Sequence, residues 1–403
     1  MGNSKSVIIP QYGADFSSSI NTPNDGFSKI KDNTSNSLIT TNRSPNHFDS
    51  TAIWSVRSIS GPKPSPRLGH AWVYSEEDDV AVIAYGFDNQ KTPLNDFWKL
   101  YLSSNHWEPL NIVGGEIPFA RAGCKAVLAG KNMIIFGGYA KNKHLDNLHF
   151  VNIETGQITY PRTTGDPPTA CSGFVMSYIN NQVIVFGGYN GSALNQLSIL
   201  NLSNLEWKTV QTVHQRTAPG YCTLGSSAYV YGGGKVQGVI SISYLNSPSE
   251  GEISPEMAKI LPNGGSIIPP CDITAPNLVG IADRFLLLVG GDRKSPVPTE
   301  ETTKYTPIYA FDLMTNRWCI FHVFPDAITT NFSDGFIDKN GEFLLPNSKE
   351  STIFYRKKER EVVAMLGQPQ YSPPVMFVFA CGESIAVLNH QDDMINALIS
   401  FST

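Results

Sequence analysis

The stretch Gly123–Ile158 reads GCKAVLAGKNMIIFGGYAKNKHLDNLHFVNIETGQI, and its order of signals returns along the chain. A short apolar run is followed by a second one that ends in Gly137 and Gly138, and then Leu-Asp-Asn-Leu opens a third run. The apolar-then-glycine signal falls at residues 86, 137 and 187, and the Leu-Asn/Asp signal falls at 94, 145 and 194. A period of about fifty residues indicates a repeat architecture.

Each repeat holds four short runs rich in Val, Ile, Tyr and Phe with turn residues between them, which predicts four β-strands. The glycine pair suits a turn with positive φ, and Trp107 and Trp207 offer a large apolar face for packing between sheets. A small twisted sheet cannot bury both of its faces alone, so such units stack radially, and closing the ring removes exposed edges. The sequence therefore predicts an all-β β-propeller.

The pattern resembles kelch repeats. The matching signals occur in the order that this family uses, and they are Arg67-Leu68-Gly69-His70, Asn95-Asp96, Trp107 and Phe136-Gly137-Gly138. The resemblance extends over residues 66–235 and returns at 287–291 and 309–318. It implies a kelch-type propeller but does not by itself imply one activity.

We divide the chain into a flexible polar N-terminal tail over residues 1–46 and a propeller over residues 47–403. Trp54 lies one repeat before Trp107, so it occupies the fourth-strand position of a unit whose first three strands do not precede it. Three β-like runs at 374–380, 384–389 and 394–401 end the chain without a fourth. We expect the N-terminal strand to complete the last blade and to close the ring.

Strand counting favours seven blades, with six as the alternative. The seven blades are assigned to residues 66–112, 118–162, 167–210, 216–260, 272–323, 328–366, and 372–403 together with 51–57.

Composition limits the classes of function. The chain has 403 residues, 41% of them hydrophobic, and a formal net charge of -5. No basic stripe is present, so nucleic acid is not expected as a ligand. The six cysteines are spread along the repeats without a CxxC pair, which favours buried free thiols in a reducing compartment. We therefore expect a cytoplasmic protein.

The N-terminus begins Met-Gly-Asn-Ser-Lys-Ser, which fits the N-myristoylation pattern with Gly2 as the acceptor. An ordinary polar N-terminus is the alternative. One myristoyl chain gives only marginal, reversible membrane binding, with a partition constant of about 10⁴ per molar. The prediction is a weak, peripheral membrane contact through the tail.

No catalytic or metal-binding constellation stands out. The eight histidines form no His-x-His or His-x₃-His arrangement, and neither a nucleophile elbow nor a Walker-type loop is present. We therefore expect no cofactor and no enzymatic activity. Some kelch-type propellers are enzymes, so an enzyme that acts on a sugar or another small metabolite in the central channel is the alternative.

Two sets of cations are candidates for contact with a ligand. Arg67 and Arg121 recur at the start of a blade, and Arg216 lies close to the equivalent place. The resemblance implies a role for them, because in several kelch proteins arginines around the channel mouth bind acidic peptides. Arg293 and Lys294 lie in a polar insertion at residues 292–307, in a loop that projects from one face of a propeller. The alternatives are arginines that support inter-blade loops and an insertion that is only tolerated.

An acidic run at residues 76–79 follows the first strand of the first blade, and we expect it to be a solvated loop, with calcium or a basic partner as the alternative. Taken together, the sequence predicts a noncatalytic protein–protein interaction module, a scaffold or adaptor that binds another protein on its loop-rich face.

Overall fold

The computed structural model describes residues 49–233, 239–243, 251–253, 275–291, 308–314, 317–325, 349–367 and 374–381. In these ranges the named elements are β-strands, numbered β1 to β27 in chain order. They form five sheets of four to eight strands and one two-stranded hairpin. The all-β prediction is therefore confirmed.

The N-terminal strand β1 is Asp49–Arg57. The sheet that follows it contains β2 (Ala71–Ser75), β3 (Val80–Ala84), β4 (Phe97–Tyr101) and β5 (His106–Pro109). The second sheet contains β6 (Lys125–Ala129), β7 (Asn132–Phe136), β10 (Leu148–Asn152) and β11 (Ile158–Thr159), and the hairpin of β8 (Tyr139–Ala140) and β9 (Lys143–His144) lies between β7 and β10 in sequence.

The third sheet contains β12 (Thr164–Gly165), β13 (Val175–Ile179), β14 (Gln182–Phe186), β15 (Leu194–Asn201) and β16 (Glu206–Arg216). The fourth contains β17 (Gly220–Leu224), β18 (Ser227–Tyr231), β19 (Val239–Ser243) and β20 (Gly251–Ile253). The remaining strands are β21 (Asn277–Ile281), β22 (Phe285–Val289), β23 (Ile308–Asp312), β24 (Arg317–Pro325), β25 (Thr352–Arg356), β26 (Glu361–Met365) and β27 (Met376–Ala380).

These last seven strands and β1 form the eight-stranded sheet, in which β1 lies between β24 and β27. β1 runs parallel to β24 and antiparallel to β27, with Trp54 opposite Phe379 in the register. The sheet thus consists of one four-stranded half, β21 to β24, and a second half made of β25, β26, β27 and β1. We call the second one the mixed-terminus half, because it combines both ends of the described chain.

The mixed-terminus half corrects the blade division that the sequence predicted. The runs in β25 and β26 were assigned to a blade at 328–366, and the run in β27 to the next blade at 372–403. In the structure β26 pairs directly with β27, so all three strands belong to one sheet. The count of seven blades is not confirmed, because spacing along the chain does not reveal which strands pair.

The hydrophobic core lies between consecutive sheets. The second strand of a sheet is buried along its whole length in β3, β22 and β26, because neighbouring sheets cover both of its faces. Each apolar cluster joins two neighbouring sheets or half-sheets, and one of them joins Leu100 and Trp107 of the first sheet to Phe354 and Val378 of the mixed-terminus half. The first sheet therefore packs against both the second sheet and the C-terminal strands.

The repeat signals have the structural roles that the sequence indicates. Gly137 and Gly138 have φ values of 64° and 102°. A Cβ atom on Gly138 would lie 3.0 Å from the carbonyl oxygen of Ala122, so the turn after β7 requires glycine. Trp107 and Trp207 are buried between sheets, and Ile158 is buried at the place where the second repeat lacks the tryptophan.

Candidate functional site

The Arg67 side chain is fully buried and holds the turns of its own repeat together. Its Nη1 donates hydrogen bonds to the carbonyl oxygen of Tyr85 at 3.0 Å and to Oδ1 of Asp96 at 2.7 Å, and its Nη2 donates to Oδ2 of Asp96 at 2.9 Å. Burial acts to raise the pKa of Asp96, but the hydrogen bonds and charge of Arg67 outweigh it and hold that pKa below 3.8. The pair fixes the loop between β3 and β4.

Arg121 and Arg216 repeat this arrangement. Nη1 of Arg121 donates to the carbonyl oxygen of Gly137 and to Oδ1 of Asn147, and Nη1 of Arg216 donates to the carbonyl oxygen of Gly232. All three arginines are at most 1% exposed. The expectation that Arg67, Arg121 and Arg216 face a ligand is corrected here, because their guanidinium groups bind the turns inside the protein.

Three other predicted residues lie outside the described residues. Gly2, Arg293 and Lys294 therefore stay predictions from the sequence.

The acidic turn after β2 joins neighbouring parts of the chain. Both carboxylate oxygens of Asp78 accept hydrogen bonds from Lys131 of the second sheet at 2.6 and 2.7 Å, and Lys131 lowers the pKa of Asp78. Asp79 accepts two bonds from Arg356 of the mixed-terminus half at 2.6 and 3.0 Å. The basic partners of these two carboxylates are thus residues of the same chain.

A cavity lies beside the starts of six strands, β2, β6, β13, β17, β21 and β25. In the described ranges, six residues lie two positions before such a strand, have positive φ and line this cavity; they are Gly69, Gly123, Gly173, Ala218, Ala275 and Glu350. Backbone hydrogen bonds link four of them in series. The N–H of Gly123 donates to the carbonyl oxygen of Gly69, the N–H of Gly173 donates to that of Gly123, and the N–H of Ala218 donates to that of Gly173. We call this space the central cavity; its volume is about 70 Å³. Its walls come from all four separate sheets and from both halves of the eight-stranded one.

A partly exposed group of aromatic side chains lies on β8, β9 and the neighbouring turns. Phe119 is 62% exposed, and the ammonium group of Lys141 lies 3.6 Å from the centre of its ring. The His144 ring stands between the rings of Tyr139, at 5.1 Å, and Tyr189, at 5.8 Å. We call these five residues the aromatic face. They join the turns of the second and third repeats into one surface.

Arg121, whose Nε donates a hydrogen bond to the carbonyl oxygen of Phe119, also belongs to a buried polar chain. The Tyr85 hydroxyl is 2.8 Å from Nε2 of His149, and the Arg121 guanidinium lies 5.3 Å from the centre of the Tyr85 ring. Burial, together with the charge of Arg121, lowers the pKa of His149 to about 3. The hydrogen bond between Tyr85 and His149 joins the first two sheets, and the imidazole of His149 is uncharged at neutral pH, so it does not act as a cationic acid there.

No sequence pattern predicts the aromatic face. Aromatic residues in a strand-rich repeat are usually core residues, and Phe119 precedes Arg121 in a segment that resembles the start of any repeat. Its exposure follows from the tertiary structure alone.

The thiols that the structure describes are free. Cys124, Cys171 and Cys381 are buried and Cys222 is partly buried. Burial raises the pKa of Cys124 to about 11 and that of Cys171 to about 12, so both are protonated at neutral pH.

The described residues contain neither a cluster of metal ligands nor a helix suited to span a membrane. Within those ranges, no three His, Cys, Asp or Glu side chains come together in a group that could hold a metal ion. No helix in the same ranges has the length and apolar character needed to cross a membrane.

Comparison with known families agrees with the repeat geometry. Residues 31–233 match the KLHDC2/KLHL20/DRC7 Kelch-repeats domain, which is half of the chain. The chain belongs to the kelch-repeat family. The matched range contains the buried arginines, the glycine turns and the tryptophans described above.

Curated relatives share only part of their length with this kelch protein. It is 31% identical over 167 residues to acyl-CoA-binding domain-containing protein 4 of Arabidopsis thaliana, which covers 41% of this chain and 25% of that protein. It is 26% identical over 196 residues to tip elongation aberrant protein 1 of Schizosaccharomyces pombe, with coverages of 45% and 17%. It is 28% identical over 137 residues to human host cell factor 1, with coverages of 32% and 7%. The chain thus spans a quarter or less of the length of these relatives.

Proposed function

We propose that this kelch chain is a noncatalytic protein-binding module that contacts its partner through the aromatic face. The supporting observation is the exposure of Phe119 and Tyr189 on turns that a buried arginine–carbonyl framework holds in place. Exposed aromatic side chains on a rigid support are typical of the residues that contribute most to protein–protein binding. The kelch family and its scaffold-like members support the same class of function.

The proposal includes the architecture. We infer a ring of six blades, in which the mixed-terminus half is the sixth blade and β1 is its outer strand. The support is the pairing of β1 with β27 and the apolar contact between the C-terminal strands and the first sheet. A rigid ring would hold the turns that carry the aromatic face in fixed positions.

Two substitutions that introduce a charge test the role of the aromatic face. Phe119→Asp and Tyr189→Asp, made together, place two carboxylates on the surface without altering a buried contact. We expect affinity capture followed by quantitative mass spectrometry to show the loss of specific partners. Met314→Asp is the matched control, because Met314 is an apolar residue in another turn and is 74% exposed.

The outcomes separate the alternatives. The proposal is supported if some partners bind to wild type and to Met314→Asp but not to the double variant. Partners that all three proteins retain equally contradict the assignment of this face, and the absence of any reproducible partner contradicts the binding function itself.

Membrane tethering through Gly2 and a peripheral cytoplasmic location are also proposals, supported by the N-terminal sequence pattern. Measurement of the intact mass of the protein produced together with an N-myristoyltransferase checks the modification; a species that has lost only methionine would reject it.

An enzyme that acts on small metabolites is the second candidate function, on the ground of family resemblance. A metabolite thermal-shift screen combined with metal analysis would reveal such an activity.

A further inference from the structure

Glu350 departs from the rule that the other five rim positions of the central cavity follow. Those five hold Gly or Ala, whereas Glu350 carries a long, ionisable side chain. All six positions have a left-handed backbone, which is unfavourable for any residue with a Cβ atom, because Cβ approaches the following carbonyl oxygen. The side chain, and not the backbone, therefore distinguishes this position and points to a role for the Glu350 carboxylate.

The Glu350 carboxylate lies over an open part of the cavity rim. A Cβ atom on Gly69 would be 3.5 Å from Oε2 of Glu350, and Gly69 has no side chain to cover it. Among the residues that the structure describes, no cation forms an ion pair with Glu350. The carboxylate can therefore accept hydrogen bonds from a bound molecule.

The same cavity contains a cation. Lys125 lines the cavity, and its ammonium group lies 5.8 Å from the centre of the Tyr221 ring and forms no ion pair in the described part of the chain. The cavity thus offers groups for both an ammonium and a carboxylate.

Volume limits the size of the molecule that can bind. A cavity needs about 10–15 Å³ to hold one water molecule. A volume of about 70 Å³ therefore matches a handful of non-hydrogen atoms, which is the size of the amino acid glycine. A larger side chain would extend towards the open rim.

We propose that the central cavity binds a small zwitterion, a free α-amino acid or a close analogue. Its ammonium group binds the Glu350 carboxylate, and its carboxylate binds the Lys125 ammonium. This binding does not depend on the aromatic face, so either proposal can fail without the other.

Three probes separate the two charges. Glycine carries both, glycinamide only the ammonium, and N-acetylglycine only the carboxylate. We expect calorimetric titration of the full chain to show saturable binding of glycine. Glycinamide and N-acetylglycine should each bind more weakly by about tenfold or more, because each lacks one charge-assisted contact. N-acetylglycine that binds as well as glycine would indicate recognition of a peptide C-terminus and would overturn the proposal.

Variants assign each contact. Glu350→Gln and Lys125→Gln should each weaken glycine binding by about tenfold, while Glu116→Gln, an exposed acid outside the cavity, should leave it unchanged. Glu350→Gly should abolish glycine binding and leave the melting temperature equal or higher, since it places glycine at a left-handed position. A lower melting temperature for Glu350→Gly would assign Glu350 a structural role and overturn the argument. The absence of saturable glycine binding up to about 10 mM would also overturn it.

Discussion

At the scale of single residues, the backbone conformation that each turn requires explains most of the residue types in the repeat signals. Gly137 ends the second strand of its repeat with positive φ, and the first repeat has Tyr85 at the corresponding place with a φ of 64°. Tyr85 is buried, and its hydroxyl is bonded to His149. The unfavourable backbone of Tyr85 is therefore offset by the contacts of a large buried side chain, which a glycine could not make.

His149 should make the protein less stable in mild acid. Its pKa is about 3 in the folded state against an ordinary value of 6.5, because burial and Arg121 disfavour the charged form. Between these values the unfolded chain binds a proton that the folded chain does not bind, so the free energy of unfolding falls as the pH falls. The expected contribution between pH 6.5 and pH 5 is about 2 kcal/mol.

A double variant tests this contribution. Tyr85→Phe with His149→Phe removes the titrating group and its partner together, and its urea unfolding should depend less on pH between 7 and 5, by about 2 kcal/mol. Tyr85→Phe alone keeps His149 and should keep the pH dependence. An equal pH dependence in wild type and the double variant would show that His149 does not control it.

At the scale of strands and turns, the acidic run after β2 connects two neighbours. Asp78 binds Lys131 on one side and Asp79 binds Arg356 on the other. Arg356 also donates to Glu361, which accepts two further bonds from Arg57 of β1. The expectation of a solvated loop therefore describes only part of the turn, because Asp79 is part of a partly buried charge network.

The two connections should differ in strength. Arg356 has a side chain that is 5% exposed, and its loss in Arg356→Met leaves Asp79 and Glu361 close together, so we expect a cost of about 3 kcal/mol in urea unfolding. Lys131 is more exposed, and Lys131→Met should have a smaller effect that high salt removes. Equal effects of the two substitutions, with the same dependence on salt, would contradict the assignment of a buried network.

At the scale of the whole molecule, the N-terminal strand joins the two ends of the described chain. β1 pairs with β24 and β27, and Arg57 binds Glu361 across a separation of 304 residues. The ring that we propose depends on this strand, because without it β27 becomes an exposed edge.

Truncation measures how much the molecule depends on β1. Removal of residues 1–46 should leave the melting temperature unchanged, whereas removal of residues 1–57 should lower it by about 10 °C or prevent folding. A synthetic peptide of residues 47–60 should bind the shorter protein and restore the transition. If both truncated proteins melt like wild type, β1 does not hold the ring together.

Some features of the fold follow from local signals. The glycine turn at Gly137 and Gly138 and the alternation within strands depend on a few neighbouring residues, so the four-stranded repeat and its kelch character were predicted correctly. The site was predicted less well. A repeated arginine such as Arg121 fits both a ligand contact and a loop support, and only its burial distinguishes the two.

Turns and strands could be recognised from the chain alone because backbone preferences are set by the nearest residues. The pairing of β26 and β1 with β27, the burial of the three arginines and the exposure of Phe119 needed the folded molecule. The entropy of closing a loop grows only slowly with its length, so distance along the chain says little about which strands pair. That choice depends on how the apolar faces of all the sheets fit together, and the fit also determines which side chains remain at the surface and in the central cavity.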